Sequence, residues 1–418
     1  MFDADRWQEI YHVLAKNKLR TALTAFGVFW GMFMLVVLMG SGNGLRTGVL
    51  GGFSSFATNS FFMWGQTTSM PYKGFQRGRY VAFTNDDTEA LQRELRGAEV
   101  VAPRCQLGGY RGTNYVTRGK FSGSTFSITG DVPEVMAITP KKIVLGRWLN
   151  SKDIDDKRKV AVIGTRVRDV LFEPHEDPLG DYINIGGIYF MVVGVHDLEF
   201  TSEHNDGELE SILTPISTFQ QAFNWGERVG WYSIMGKPNI MIEDLEQEAR
   251  QIIMKRHNVH PDDPRAVGGW NASEEFEKIS GLFTGIDMLV WIVGIFTLLA
   301  GVIGVSNIML VVVKERTKEI GIRKAIGATP YSIVSQIILE AIILTGIAGY
   351  LGLSAGVFVL EAVNSAMGEG APMFRNPEID LNAALFCLVV IVLGGGLAGV
   401  IPAQKAAGVD PIVALRSE

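Results

Sequence analysis

Four stretches of the chain are almost uninterruptedly apolar, and the long segment between the first two changes to shorter periods. The apolar runs cover residues 21–40, 282–313, 331–360 and 381–401. Each is long enough to cross a bilayer core of about 30 Å, which takes about 20 helical residues. The first (TALTAFGVFWGMFMLVVLMG) reads as a retained helix rather than a cleaved signal. It is too long for a signal's apolar region, and no small-x-small cleavage pattern follows it.

The insert at 41–281 has a mixed pattern, with a strand-rich part at about 105–200. Asp86–Leu95 and Asp244–Lys255 read as amphipathic helices with acidic starts. Lys159–Ile163 and Ile188–Val193 are β-branched and aromatic runs, each closed by a glycine. Asp177-Pro-Leu-Gly180 between them is a turn signal. The expected fold class is a membrane α-helical protein, four transmembrane helices per chain, with a large α+β domain of two subdomains inserted between helices 1 and 2. From Ser273 to Val313 there is no proline, and Phe276, Ile279, Phe283 and Ile286 recur at helical spacing. A continuous helix there would be roughly 60 Å long and stand beyond the bilayer as a stalk. A break at Gly281 or Gly285 would remove that lever.

Composition agrees with a membrane protein carrying a sizeable soluble part. Hydrophobic residues make up 47%, charged residues 20%, and mean hydropathy is +0.19, too apolar for a disordered chain. A net charge of −6 gives no global attraction to nucleic acid. Two cysteines, Cys105 and Cys387, exclude a disulfide scaffold and a cysteine-rich metal cage. Basic residues set the orientation: Lys16, Lys18 and Arg20 precede the first span, and Lys314, Arg316, Lys318, Arg323 and Lys324 fill the link at 314–330. Lys405 and Arg416 follow the fourth span, whereas the 361–380 loop carries Glu361, Glu369, Glu378 and Asp380 against Arg375. Both termini (1–20 and 402–418) and the 314–330 link are therefore expected in the cytoplasm, with the insert outside.

The link KERTKEIGIRKAIGATP has the pairs Glu315–Lys318 and Glu319–Arg323 at helical spacing. Ile320, Ile322, Ala325 and Ile326 add a small apolar surface. Gly327 suits the helix stop, Thr329 the next cap, and Pro330 the first residue of the third span. Such a helix serves either as a docking element or as a solvated connector.

These residues carry a resemblance. VKERTKEIGIRKAIGATP, the preceding LLAGVIGVSNIMLVVV and the tail PAQKAAGVDPIVALR resemble FtsX/MacB-type ABC transporter permeases. EIYHVLAKNKLRTALTAFGVFWG resembles that family's amphipathic leading helix and first span, and VLGRWL…DPLGDYINIGGIYFMVVGV its extracytoplasmic domain. The resemblance implies a permease working as a homodimer or with a paralogous permease. Its ABC ATPase partner binds ATP and Mg, and no cofactor, catalytic residue or metal falls to this chain. It implies a coupling helix over Glu315–Ala328, with Glu315, Glu319, Gly321, Arg323, Lys324 and Gly327 as the ATPase-coupling positions. No lysine here precedes a serine or threonine, so a P-loop is absent and the ATPase is expected as a separate subunit. The implied location is the bacterial cytoplasmic (inner) membrane, in contact with membrane lipid. A periplasmic adaptor and an outer-membrane channel are further candidate partners.

Glu340, with Gln336 one turn before it, is expected near mid-membrane, where an unpaired ionisable group costs about 2–3 kcal/mol or more. It reads as either a hydrogen bond inside the bundle, to Asn307 or a serine, or a transmission contact or proton-linked switch. Gly27-x-x-x-Gly31 and Gly352-x-x-x-Gly356 offer close helix approach, the first as dimer or bundle packing. Gly394-Gly395-Gly396 suggests tight packing or a bend. His257, His260, Asp262 and Asp263 are weak candidates for a metal, and no zinc-protease motif is present in the sequence. The function expected is ATP-driven mechanical transmission to an outer domain, for export of peptides, toxins, antibiotics or lipid-like molecules. The alternative is the same motion used for cell-wall hydrolase activation, signalling or lipoprotein extraction.

Overall fold

The computed structural model describes residues 18–51, 53, 56–108, 112–198, 206–367, 377 and 381–410. The leading helix expected at 1–20 therefore lies almost wholly outside the described residues, as do most of the 361–380 loop and the tail beyond Asp410. The chain divides into two compact units, one built from residues 1–48 and 281–418 and the other from residues 49–280.

The first unit holds four helices long and apolar enough to cross a membrane. They are the first-span helix Lys18–Gly51, the second-span helix Ala272–Glu315, the third-span helix Pro330–Met367 and the fourth-span helix Leu381–Ala407. A short link helix, Thr317–Ala325, lies between the second and third. Each span helix outruns its apolar segment. The first continues past Gly40 to Gly51, the third to Met367 and the fourth through Pro402 to Ala407. The first helix runs on through Gly40, where Leu360 of the third-span helix occupies the space a side chain would fill. The second-span helix runs unbroken through Gly281 and Gly285, about 66 Å at 1.5 Å per residue.

Glycines let these helices approach closely. A Cβ on Gly352 would stand 2.5 Å from the carbonyl oxygen of Phe29, and one on Gly356 2.4 Å from Val36. Gly395 faces Thr345 and Gly399 faces Ala341 and Ile338 across the third and fourth helices. Gly31 lies against Thr297 of the second-span helix, whereas no described atom stands within 4 Å of a Cβ built on Gly27. The packed interior includes Met32, Leu35, Val36, Val305, Ala341, Ile391 and Ala398.

The second unit is α+β with two adjoining cores. Its strands are β1 (Ser60–Gly65), β2 (Phe83–Thr84), β3 (Ala98–Gln106), β4 (Asn114–Arg118), β5 (Phe121–Asp131), β6 (Lys142–Gly146) and β7 (Val160–Gly164). They continue as β8 (Tyr182–Ile185), β9 (Ile188–Asp197), β10 (Ser211–Pro215), β11 (Arg228–Val229), β12 (Trp231–Gly236) and β13 (Val267–Asn271). One part is an antiparallel sheet in the order β3-β12-β1-β13. The helix Asn85–Glu94 links β1 to β3, and Ile242–Arg256 links β12 to β13. Two split β-α-β units interleaved in this order form a ferredoxin-like layer. Phe61, Met63, Leu91, Tyr232, Ile234, Leu245 and Ile253 fill its core.

The other part closes on itself. β10-β7-β9-β8-β4-β5 follow in order, and β10 also pairs in parallel with β5. Val116, Phe126, Ile128, Ile163, Ile185, Phe190 and Val192 fill the ring. β5 then continues into the first sheet through Cys105↔Gly130 and Gln106↔Thr129 of β3. Gly194 does not end β9, which runs on to Asp197. It stands where β9 shifts register against β7 and where the Arg147 carbonyl leaves no room for a side chain. The strand-rich part also reaches past residue 200, since β10 and the helix Ile216–Ala222 complete its core.

Candidate coupling site

The link between the second and third spans is built around Arg316. The second-span helix ends at Glu315, and Arg316 alone separates it from the link helix. Its backbone still joins both, the amide donating to the Val312 carbonyl (3.0 Å) and the carbonyl accepting from the Ile320 amide (2.9 Å). The link helix is therefore a bend of the second-span helix rather than a free connector. Its end is a glycine stop: Gly327 has φ +106°, its amide donates to the Lys324 carbonyl, and the Ala328 amide donates to the Arg323 carbonyl. Thr329 Oγ1 then accepts from the Ser332 amide at 3.3 Å, capping the third-span helix that begins at Pro330.

The charged side chains turn toward the bundle. Arg316 donates to both carboxylate oxygens of Glu319 (3.1 and 3.0 Å) and to Glu340 Oε1 (3.3 Å). Arg323 donates to Glu319 (3.0 Å) and to Gln336 Oε1 (3.1 Å). Lys324 donates to the carbonyls of Ala407 and Val409, closing the C-terminal end of the fourth-span helix. Gly321 is a buried position of the link helix. Between these groups is a pocket of about 20 Å³, also lined by Met309, Ile320 and Ile337. That is room for a single water molecule.

Several expectations are corrected. Glu315 is the last residue of the second-span helix, not part of the link helix, because the bend falls at Arg316. The link helix spans Thr317–Ala325 only. Asn307 is exposed on the second-span helix and is not the hydrogen-bond partner of Glu340; Arg316 is. Glu340 stands beside the charged link, where the Arg316 guanidinium reaches its carboxylate at 3.3 Å.

In the sequence, Arg316, the hub of the network, is one positive charge among the link's Lys314, Arg316, Lys318, Arg323 and Lys324. Its role is signalled by Glu319 three residues on, a spacing at which helical side chains meet. Beside the exposed Lys318 and Glu319 the link also shows apolar groups to the outside: Ile322, Ile326 and, in the first turn of the third-span helix, Tyr331 are 42%, 83% and 81% exposed.

The residues weighed as metal ligands in the second unit have other partners. His257 Nε2 stands 2.8 Å from Asp87 Oδ2, and Asp263 accepts from the Ser69, Met70 and Arg265 amides and the Ser69 hydroxyl. His260 Nδ1 accepts from the Asp262 amide. No cluster of three or more metal-ligating side chains occurs among the described residues.

Residues 21–252 match the MacB-like periplasmic core domain family, and residues 291–411 match the FtsX-like permease C-terminal family. The chain belongs to the FtsX/MacB-type permeases. It is 30% identical over 419 residues to a pyoverdine export ATP-binding/permease protein, PvdT, of Pseudomonas savastanoi, covering 99% of this chain and 60% of that protein. It is also 30% identical over 409 residues to a macrolide export ATP-binding/permease protein, MacB, of Rhodospirillum rubrum, covering 97% and 59%. The chain thus spans about 60% of the length of the curated relatives it matches. Among solved structures, the periplasmic region of MacB from Actinobacillus actinomycetemcomitans is similar, at 18% identity and TM-score 0.44, over 56% of this chain and 97% of that one. This FtsX/MacB-type chain carries a MacB-like periplasmic core domain and an FtsX-like permease C-terminal domain, with four helices long and apolar enough to cross a membrane.

Proposed function

We propose that this chain is the permease subunit of a MacB-like ABC system, acting as a dimer with a separate ATP-hydrolysing subunit. The ATPase docks on the outer side of the link helix and its closure is passed through the second-span helix to the periplasmic domain. The carrying observation is a link segment with two sides: Ile322 on the link helix, and Ile326 and Tyr331 just after it, are exposed, while Arg316, Arg323 and Lys324 bond to the bundle. Exposed apolar groups rimmed by charge mark a protein-binding surface. In this reading ATP and Mg are bound by the ATPase, whose counterpart the relatives carry in their names as ATP-binding/permease proteins. A cytoplasmic link is supported by its basic residues Lys314, Arg316, Lys318, Arg323 and Lys324, as a cytoplasmic N-terminus is by Lys16, Lys18 and Arg20. The relatives named for pyoverdine and macrolide export favour export of peptides, toxins, antibiotics or lipid-like molecules.

A second use of the same motion is favoured by one feature. The outer wall of the strand ring exposes Tyr115, Tyr182 and Tyr189 from neighbouring strands, a surface suited to a single protein partner in cell-wall or lipoprotein work.

Purification from native membranes in mild detergent tests the reading. A P-loop ATPase is expected with the wild-type chain and absent from an Ile326→Asp, Tyr331→Asp variant. Its absence from an intact wild-type preparation would overturn the proposal.

A further inference from the structure

The link's charges occupy an arrangement that docking alone does not require. Glu340 is 2% exposed, and its carboxylate meets the Arg316 guanidinium of a residue that belongs to neither neighbouring helix. The same guanidinium grips Glu319 on the link helix. One side chain thus ties three elements: the end of the second-span helix, the link helix and the third-span helix. The pocket of about 20 Å³ beside it leaves little slack. A buried ion pair is weak evidence for stability, since desolvation offsets its attraction, but it fixes one geometry against its alternatives.

We propose that Arg316 and Glu340 are positioning residues that make these three elements move as one body. Their task is to pass the partner's stroke on, not to bind the partner. This rests on the reading that an ATPase docks on Ile322, Ile326 and Tyr331, none of which bonds to either residue. A load applied to the link helix is delivered through Arg316 into the second-span helix and through Glu340 into the third. Without the pair, the link helix would yield to the load by rotating about its own ends.

The test compares Glu340→Gln, which keeps volume and loses charge, with Glu340→Asp, which keeps charge and loses a methylene. Arg316→Met and Arg316→Lys form the matching pair. Each is made in the full chain, reconstituted with its co-purified ATPase, with a bimane reporter at Glu277→Cys in a background lacking Cys105 and Cys387. ATPase association and basal hydrolysis are expected to stay within about twofold in all four. The ATP-driven reporter signal is expected to fall roughly tenfold in Glu340→Gln and Arg316→Met, the range of ordinary coupling energies, and to be largely kept in Glu340→Asp and Arg316→Lys. A Gln variant that keeps the signal while the Asp variant loses it would mean packing, not charge, and would overturn the proposal.

A nitroxide at Lys318→Cys in the chain alone provides an arm independent of the ATPase. Its mobility is expected to rise in Glu340→Gln and to return in Glu340→Asp. Unchanged mobility would overturn the pair's positioning role. Failure of any ATPase to bind the wild type would instead sink the docking reading and leave this arm to decide the pair.

Discussion

The ammonium of Lys324 donates to the carbonyls of Ala407 and Val409, the latter at 2.9 Å, so the link helix is fastened to the end of the fourth-span helix. It does not face outward toward a partner. Lys324→Met is therefore expected to loosen the C-terminal turn of the fourth-span helix while leaving ATPase association within about twofold, against near-total loss in Ile326→Asp. Titrating the ATPase onto the reconstituted variants separates the two. Equal losses in both would show that Lys324 belongs to the docking surface.

The four helices pack through glycines whose importance differs sharply. Gly352→Ala drives a methyl into the Phe29 carbonyl and is expected to destabilise the bundle by about 1–3 kcal/mol. Gly27→Ala meets no described atom within 4 Å, so its effect within one chain is expected below about 0.5 kcal/mol. Thermal inactivation of the detergent-solubilised chain measures both. A self-association change in Gly27→Ala alone would place a second copy against that surface.

How far the chain could be read beforehand follows from which interactions are local. The apolar runs, the Gly327 stop, the Thr329 cap and the Pro330 start depend on neighbours a few residues apart. Close packing is not local: Gly40 lies inside the first helix, and the Leu360 side chain that fills the space beside it comes from the third-span helix. The closure of β10 onto β5 pairs Ser211 with Ser127, far apart in the chain, and no local period announces it. Arg316 and Glu340 were both visible as charges. Their pairing needed the bend at Arg316, which brings the link back beside the third-span helix.

Asp87 caps the helix Asn85–Glu94 and also joins it to the end of Ile242–Arg256 through Arg256 and His257. Burial opposes its charge, but His257, Arg256 and the Thr84 amide outweigh that and hold its pKa at about 2. A carboxylate with a depressed folded pKa stabilises above its unfolded value and loses that contribution as pH falls toward about 2. Asp87→Ala is expected to cost about 2–4 kcal/mol through the lost cap and the stranded Arg256. Hydrogen exchange over residues 85–101 of the full chain reads this opening directly. Unchanged protection would contradict the account.

His196 is completely buried in β9, with Nε2 3.1 Å from Ser211 Oγ and no hydrogen-bond partner for Nδ1 among the described residues. Burial, then the nearby Lys141, push its pKa down to about 3. The folded imidazole stays neutral while the unfolded one takes a proton below its ordinary value, so stability falls as pH drops from about 6.5 toward 3. The loss amounts to about 2 kcal/mol by pH 5. His196→Gln is expected to flatten this slope in the strand ring's exchange protection. An unaltered slope would assign the acid sensitivity elsewhere.

Transmission itself is most directly tested on the unmodified coupling site. With bimane at Glu277→Cys, the reconstituted complex is followed through additions of ATP, ADP and a non-hydrolysable ATP analogue. The account predicts an emission change on nucleotide closure that reverses after hydrolysis and disappears in Ile326→Asp. A reporter that is silent while the bound ATPase turns over would contradict it.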